Sequence, residues 1–401
     1  MTERLYYQDP YMRAFSARVL DREEVEGKPA VALDRSAFYP GGGGQPPDIG
    51  TLAGVRVVEA REDGEGHIWH RLAEPLSLPA GSEVTGEIDW PRRFDHMQQH
   101  TGQHILSAAF IRAAAAETVA FHLGADYTTV DLNRTGLSAA QVDAAEALAN
   151  AVVAENRPVT ARFVSDEEAE RMPLRRPPKT EGPIRVVQVA DFDWSACGGT
   201  HVRSTAEVGP IKVVKVEKRG PETRVTFLCG GRALADYGRK HRLVQALSDR
   251  FSTGENDLLS AVERLEAEAQ ALRKALREAE QARAAAEAAT LWAQAPKRNG
   301  LRLVQMIYRD RSAEAVKALA LALQAQAGCV ALLAWIGADG RSQLTFAASP
   351  GVPADMGALL RAVVTPLGGR GGGRAEWAQG GVPAADQVEP ALAAARAALG
   401  F

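Results

Sequence analysis

Residues 95–104 of this chain read DHMQQHTGQH. His100 and His104 stand four positions apart, a spacing that on a helix places both imidazoles on one face, one turn apart. The surrounding pattern predicts a helix over about residues 91–115, because Asp89 lies close to the cap position and a proline is tolerated in the first turn. We therefore expect two imidazoles to face the same way from one long helix.

A second stretch, residues 195–201, reads SACGGTH. Cys197 and His201 are also four positions apart, and the glycines between them permit a tight turn. Together the two stretches offer three imidazoles and one thiolate, a ligand set suited to tetrahedral Zn²⁺. A zinc peptidase helix would carry a glutamate directly after its first histidine, where this chain has Thr101. Protease-type activation of water is therefore not expected.

These motifs resemble those of the editing domain of alanyl-tRNA synthetase and of its free-standing relatives, the AlaX trans-editing proteins. The specific part of the resemblance is H-T-x-x-H at 100–104 followed by C-G-G-T-H at 197–201. Three further blocks match, at residues 33–45, 121–124 and 367–381, so the resemblance covers essentially the whole chain. Because no ATP-binding aminoacylation domain precedes the editing part, we expect a free-standing protein rather than a piece of the synthetase.

The resemblance implies a zinc-dependent hydrolase that removes serine, and often glycine, wrongly attached to the tRNA for alanine. It implies one Zn²⁺ per chain, bound by His100, His104, Cys197 and His201. Four protein ligands fill a tetrahedral shell, so two roles for the metal stay open: it activates water, or it positions the amino or hydroxyl group of the substrate. We favour positioning. The alternative function is an RNA-binding protein with a structural zinc and no turnover.

Polar side chains beside the zinc motifs are the candidates for recognising the substrate hydroxyl, since a site built around a hydroxyl rejects an analogue that lacks it. They are Gln45, at the end of the glycine-rich loop, and Thr101, Gln103 and Thr200 next to the ligands. Basic side chains are the candidates for contact with tRNA. They are Arg92 and Arg93 at the start of the long helix, Arg175 and Arg176 in the basic loop at 173–179, and Arg370 and Arg374 in the glycine-rich segment 368–374.

Strand patterns, helical patterns and turn residues predict an α+β chain with several regions. Residues 1–89 are expected to form a small β-barrel that contains the glycine-rich loop, and residues 90–236 a zinc-containing α+β editing domain. Residues 237–296 are expected to form a helical coiled-coil linker. Residues 297–401 are expected to form a small α/β domain that resembles the C-terminal domain of alanyl-tRNA synthetase.

Apolar residues of the linker recur in alternating steps of four and three, at Leu258, Val262, Leu265, Ala269, Leu272, Leu276 and Ala279. This heptad pattern predicts a helical seam that needs a partner. The partner is either another helix of this chain, with residues 237–251 as the candidate, or a second copy of the protein. We favour a homodimer, formed through this helix or through the C-terminal domain.

Charge and composition limit the class of protein. The formal net charge of −3 over 401 residues argues against a chain that coats nucleic acid, so any tRNA contact must be focused. Three cysteines give no disulfide framework and favour a reducing compartment. The N-terminus lacks a signal-peptide pattern, and the most apolar run, residues 319–338, is interrupted by polar and glycine residues. We expect a cytoplasmic protein with no membrane-spanning segment.

Overall fold

The computed structural model describes residues 1–176 and 183–401, and it shows a mixture of helices and sheets, which confirms the α+β class. The chain divides into two compact units, Met1–Ala246 and Leu247–Phe401. This division is coarser than the predicted regions, because residues 1–89 and nearly all of the predicted editing domain, residues 90–236, share the first unit. Within the described residues, no helix is both long enough and apolar enough to cross a bilayer.

The first unit begins with a closed barrel in which the strands follow one another in the order β2-β3-β7-β6-β5-β8. Alternate side chains are buried along the first half of β2, as expected of a strand with one face in a core. The elements of this region are β1 (Glu3–Arg4), α1 (Leu5–Gln8), β2 (Ala14–Val25), β3 (Lys28–Leu33), β4 (Arg35–Ser36), β5 (Gly50–Leu52), β6 (Val55–Glu62), β7 (Ile68–Leu72) and β8 (Glu83–Ile88).

The region that follows the barrel packs its long helix, α2, against a helix and a sheet with strand order β14-β15-β10-β9. A second sheet has the order β11-β12-β13. The elements are α2 (Trp90–Ala114), β9 (Thr118–Leu123), β10 (Thr128–Leu132), α3 (Ala139–Ala154), β11 (Val159–Val164), α4 (Asp166–Arg171), β12 (Ile184–Val189), β13 (Asp193–Ala196), β14 (Ile211–Arg219) and β15 (Glu222–Cys229).

Helix α2 begins where its sequence signals predict. The Asp89 carboxylate accepts a hydrogen bond from the backbone N–H of Arg92, and Pro91 occupies the first turn. One face of the helix, with Leu106 and Phe110, is buried in the core. Gly102 lets a neighbouring strand approach closely, because a Cβ there would lie only 2.3 Å from the Cys229 sulfur. Cys229 is therefore a core residue.

Helix α5 (Gly230–Phe251) contains the boundary between the two units. In the second unit the strands of one sheet follow the order β16-β17-β18-β19-β21-β20, with β17 and β18 parallel. Its elements are α6 (Leu258–Gln294), β16 (Lys297–Arg298), β17 (Leu301–Tyr308), α7 (Ala313–Gln324), β18 (Cys329–Ile336), β19 (Ser342–Ala348), α8 (Met356–Val364), β20 (Arg370–Arg374), β21 (Trp377–Gly381) and α9 (Val388–Ala398).

The glycine-rich segment near the C-terminus forms strand β20, which its composition did not predict. Glycine is required here because helix α8 lies close to the strand. A Cβ on Gly371 would lie 2.9 Å from the Leu360 side chain, and a Cβ on Gly357 of α8 would lie 2.6 Å from the carbonyl oxygen of Gly373. Close packing of backbone on backbone, rather than loop flexibility, therefore explains these glycines.

Candidate metal centre

Four side chains from two distant segments converge in the first unit. His100 and His104 project from α2, and Cys197 and His201 belong to the turn that follows β13. The donor atoms all lie within 4.8 Å of one another, and the Cys197 sulfur lies 3.4 Å from Nε2 of both His100 and His201. The histidines are buried and the cysteine is half-buried. The sequence prediction that these four residues come together is confirmed.

Each of the three histidines is held through the nitrogen that faces away from the cluster. The contacts are His100 Nδ1 with Gln45 Oε1 (2.7 Å), His104 Nδ1 with Asp193 Oδ2 (3.2 Å) and His201 Nδ1 with Thr101 Oγ1 (3.1 Å). An amide oxygen and a carboxylate can only accept, so the first two histidines carry their proton on Nδ1. Their Nε2 lone pairs are therefore free for a metal, which is the usual orientation of a metal-bound imidazole.

The glycine-rich loop of the barrel brings Gln45 to the cluster. Gly41, Gly42, Gly43 and Gly44 all have positive φ, between 56° and 129°, which favours glycine at each position. The backbones of Gly42 and Gln45 exchange two hydrogen bonds of 3.0 Å, which closes a tight turn. The Gln45 amide then donates to Thr200 Oγ1 at 2.8 Å, while its oxygen accepts from the Thr200 N–H at 3.1 Å. The loop thus connects the barrel to both segments that carry the four donors, through His100 and Thr200.

Asp193 is the residue at this site that sequence analysis missed. It is buried, and its carboxylate accepts from Ser195 Oγ at 2.8 Å and pairs with Arg175 at 3.0 Å. Burial opposes ionisation, but the hydrogen bond from His104 and the charge of Arg175 lower the pKa of this carboxyl overall. A signal was present in the sequence: in strand β13, Asp193 and Ser195 lie on one face and lead directly to Cys197.

The turn that carries the cysteine is shaped by its glycines. A Cβ on Gly199 would lie 2.2 Å from the imidazole of His100, so no larger residue fits there. The buried guanidinium of Arg185 donates to the carbonyl oxygens of Cys197 and Gly199 at 2.9 and 2.8 Å. These contacts hold the cysteine against the long helix.

The protonation states of Cys197 and His201 suit a metal, whereas at His104 burial lowers the pKa but contacts with Asp193 and Cys197 raise it overall. Burial raises the pKa of the Cys197 thiol, but attraction to His100 and His201 outweighs it and holds that pKa well below its usual value. Burial and the neighbouring His100 lower the pKa of His201 to about 3. A thiolate and a neutral imidazole are the forms that bind zinc. The donor set and its outer partners therefore fit one tetrahedral Zn²⁺.

A cleft of about 710 Å³ lies beside the cluster. Three of the four donors, His100, His104 and Cys197, lie in its wall, so the centre is accessible to a ligand in the cleft. The other lining residues include aromatic side chains, arginines and glycines of the glycine-rich loop. They include Arg4, Tyr6, Tyr7, Tyr39, Gly41, Gly42, Gly43, Phe121, Phe163, Arg175, Arg176 and Arg185.

The residues expected to contact the substrate hydroxyl have two different placements. Gln103 lines the cleft, and its amide donates to Ser107 Oγ at 2.7 Å. Gln45, Thr101 and Thr200 are instead buried behind the cluster, where they hold the histidines and one another. For these three the expected substrate contact is wrong, because their polar atoms are already used to position the metal ligands.

The two arginines at the start of α2 differ in exposure. Arg93 has 0% of its surface exposed; its guanidinium pairs with Asp48 and donates to the carbonyl oxygens of Pro10 and Ala37. The expected tRNA contact of Arg93 is therefore wrong. Arg92 is half-buried and donates to the carbonyl oxygen of Pro47 at 3.4 Å.

The other predicted basic residues are accessible. Arg175 and Arg176 line the cleft, the first held by Asp193 and the second exposed. Pro177, Pro178 and Lys179 of the predicted basic loop lie outside the described residues. Arg370 and Arg374 are exposed on β20 of the second unit.

Comparison with known proteins adds family evidence to this geometry. Residues 184–224 match the Threonyl and Alanyl tRNA synthetase second additional domain, and residues 302–400 match the DHHA1 domain. The chain is 31% identical to the alanyl-tRNA editing protein AlaX-L of Pyrococcus horikoshii, over 96% of this chain and 95% of that protein. It is 36% identical to the alanine–tRNA ligase of Pyrococcus abyssi, over 66% of this chain and 30% of the ligase.

Among solved structures, the C-Ala domain of alanyl-tRNA synthetase from Aquifex aeolicus matches 25% of this chain and 92% of its own length, at 25% identity and a TM-score of 0.23. Family membership rests on the first of these relatives, which the chain matches over nearly its whole length. The chain belongs to the family of alanyl-tRNA editing proteins, which are aminoacyl-tRNA hydrolases.

Proposed function

We propose that this chain hydrolyses the ester bond between serine and a mischarged tRNA for alanine, with glycine as a second amino acid that it removes. The reaction takes place at one Zn²⁺ bound by His100, His104, Cys197 and His201. The observation that carries the proposal is the convergence of these four donors at the wall of an accessible cleft, in a chain of the alanyl-tRNA editing family.

An aminoacyl ester is already activated, so its hydrolysis depends more on placement than on a strong nucleophile. When bound, Zn²⁺ polarises an oxygen or holds an amino group of the substrate. The chain's own part is to fix the centre: Gln45, Asp193 and Thr101 each hold one imidazole. Because these partners are buried, the ligands present one geometry to a substrate in the cleft.

The serine hydroxyl has a polar partner at the cleft wall. Gln103 donates to Ser107 Oγ at 2.7 Å, and Ser107 lies 2.6 Å from Thr118 Oγ1. Gln103 and Thr118 both line the cleft together with His104. We assign the hydroxyl contact to the amide oxygen of Gln103, which is not used in the hydrogen bond to Ser107, since a site built around a hydroxyl rejects an analogue that lacks it.

The tRNA is bound through two arginines of the cleft and two exposed arginines of the second unit. Arg175 and Arg176 line the cleft, and Arg370 and Arg374 are exposed on β20. Guanidinium groups suit the phosphates of the acceptor end. With a mischarged tRNA as its substrate, the protein is proposed to act in the cytoplasm.

One observation favours a second function. Four donors from the chain fill a tetrahedral shell, which is the pattern of structural rather than catalytic zinc sites. On that basis the protein would bind RNA around a structural zinc without turnover. The two functions differ in one measurable product, free serine.

We predict that the purified protein contains one zinc per chain and releases serine from serine-charged alanine tRNA. His104→Ala removes a donor, so zinc content and serine release are both expected to fall to background. His67→Ala is the matched control, because this partly exposed histidine of the barrel contacts Asp63 and none of the four donors. It should keep zinc and activity at wild-type levels.

Metal analysis and deacylation then separate the alternatives. Stoichiometric zinc with tight tRNA binding and no serine release would favour the structural-zinc function. A wild-type protein without zinc under conditions in which the control variant folds would refute both.

A further inference from the structure

We propose, on the basis of the tRNA substrate proposed above, that Phe163 is the surface on which the terminal adenine of the tRNA stacks while the ester lies at the metal centre. The proposal assigns the cleft a base-binding subsite in addition to its metal site. It commits to one occupant, the base of the last nucleotide.

Phe163 is an exposed aromatic residue in the wall of the cleft. It lies on β11, which is an edge strand of its sheet, and 53% of its surface is exposed. Its ring meets that of Tyr7 edge-on, with centroids 5.5 Å apart and an interplanar angle of 77°. The exposed ring gives the cleft a flat apolar surface on which a base can stack. The edge-on contact fixes the ring and leaves it available for stacking.

Tyr7 connects this ring to the metal-binding turn. Its hydroxyl lies 3.2 Å from the position that a Cβ on Gly198 would occupy, directly beside Cys197. The Arg185 guanidinium lies 4.9 Å from the Tyr7 ring centroid while it donates to the carbonyl oxygens of Cys197 and Gly199. Phe163 is therefore one aromatic ring away from the turn that carries a metal ligand.

The chemistry of the substrate places a base close to the reacting ester. In an aminoacyl-tRNA the ester and the terminal adenine are attached to the same ribose. When the ester lies at His100 and Cys197, the adenine must lie within one sugar of them. Tyr7 and Phe163 supply the neighbouring aromatic surface on the same wall of the cleft.

The charge of the cleft supports a nucleotide rather than a neutral or acidic ligand. Its lining includes Arg4, Arg175, Arg176 and Arg185, whereas Glu62 is its one acidic side chain among the lining residues that the structure describes. Glu62 is itself paired with Arg4. Cations beside an exposed aromatic ring are the usual combination in sites that bind single-stranded nucleic acid.

The test uses the full chain, loaded with zinc, and alanine tRNA whose terminal adenine is replaced by 2-aminopurine, a base whose fluorescence is quenched by stacking. We expect quenching on binding to the wild type and to Phe163→Tyr, and its loss with Phe163→Ala. With serine-charged tRNA, Phe163→Ala should raise KM about tenfold, the effect of losing one base–aromatic stack, with kcat and zinc content unchanged. Because Phe163 is exposed, its truncation leaves the core intact.

Tyr237→Ala is the control for loss of an exposed aromatic residue, since Tyr237 lies on α5 with 67% of its surface exposed. It should leave quenching and KM unchanged. Equal quenching and KM in Phe163→Ala and the wild type would overturn the stacking proposal, as would a wild type that shows no quenching. A wild type that quenches through Phe163 but releases no serine would refute the proposed hydrolysis and leave the stacking site in place.

Discussion

At the residue scale, Asp193 links the metal centre to the cleft. Its carboxylate contacts Nδ1 of His104 on one side and the guanidinium of Arg175 on the other. A carboxylate behind a histidine ligand raises the basicity of the imidazole and fixes its orientation. The same residue thus affects how tightly a metal is held and where an arginine of the cleft lies.

We predict that Asp193→Asn lowers zinc affinity by about 10- to 100-fold, the usual effect of removing such a partner. The physical reason is the loss of negative charge behind His104, which also leaves Arg175 without its ion pair. Competition with a chromophoric zinc chelator measures the change. Asp143→Asn, an exposed position on α3, is the matched control and should bind zinc like the wild type. Equal affinities for the two variants would contradict the role given to Asp193.

At the element scale, the barrel carries a buried histidine that ties three of its segments together. His70 of β7 donates through Nδ1 to the carbonyl oxygen of Val31 at 3.0 Å, and its Nε2 lies 2.7 Å from Ser36 Oγ. Burial lowers the pKa of His70 to about 4, although the hydrogen bond to Val31 partly offsets that shift. In the folded barrel the His70 ring therefore stays neutral between about pH 6.5, where an ordinary histidine becomes protonated, and about pH 4.

This shift predicts acid sensitivity of the first unit. The unfolded chain protonates His70 near its ordinary value of about 6.5, while the folded barrel resists protonation until about 4. The free energy of unfolding should therefore be independent of this residue above about pH 6.5 and fall by about 3 kcal/mol as the pH drops from 6.5 to 4.

Urea unfolding at a series of pH values measures this dependence. In that pH window the slope of the free energy of unfolding against pH should be smaller in His70→Gln, by the equivalent of about one bound proton. The difference in free energy of unfolding between His70→Gln and the wild type should therefore shrink as the pH falls. Thr85→Gln, at an exposed position of β8, removes no titratable group and should keep the wild-type slope. Parallel profiles for the wild type and His70→Gln would show that His70 does not titrate as described.

At the scale of the whole molecule, the heptad pattern lies on one helix of the second unit. Positions Leu265, Leu272 and Leu276 of α6 are more than half exposed within this chain, at 54%, 63% and 61%. An apolar stripe of this kind is typical of helices that pair. The homodimer expected from the sequence stays a prediction.

Local signals predicted much of this fold. The spacing of His100 and His104 predicted a shared helix face, and Ser138 with Gln141 forms the capping box that its sequence indicates. Long-range pairing could not be predicted in this way. The sequence predicted a tRNA contact for Arg93 because its partner, Asp48, lies 45 residues away, and Asp193 meets His104 across 89 residues. In each case a buried ion pair or hydrogen bond depends on tertiary contacts that no local pattern contains.

The central claim is that three imidazoles and one thiolate bind a single zinc beside the cleft. X-ray absorption at the zinc edge of the purified full chain tests it most directly. We predict about three nitrogen neighbours at ~2.0–2.1 Å and one sulfur at ~2.3 Å, with the sulfur lost in Cys197→Ser. A shell without sulfur in the wild type, or one that Cys197→Ser leaves unchanged, would contradict the account.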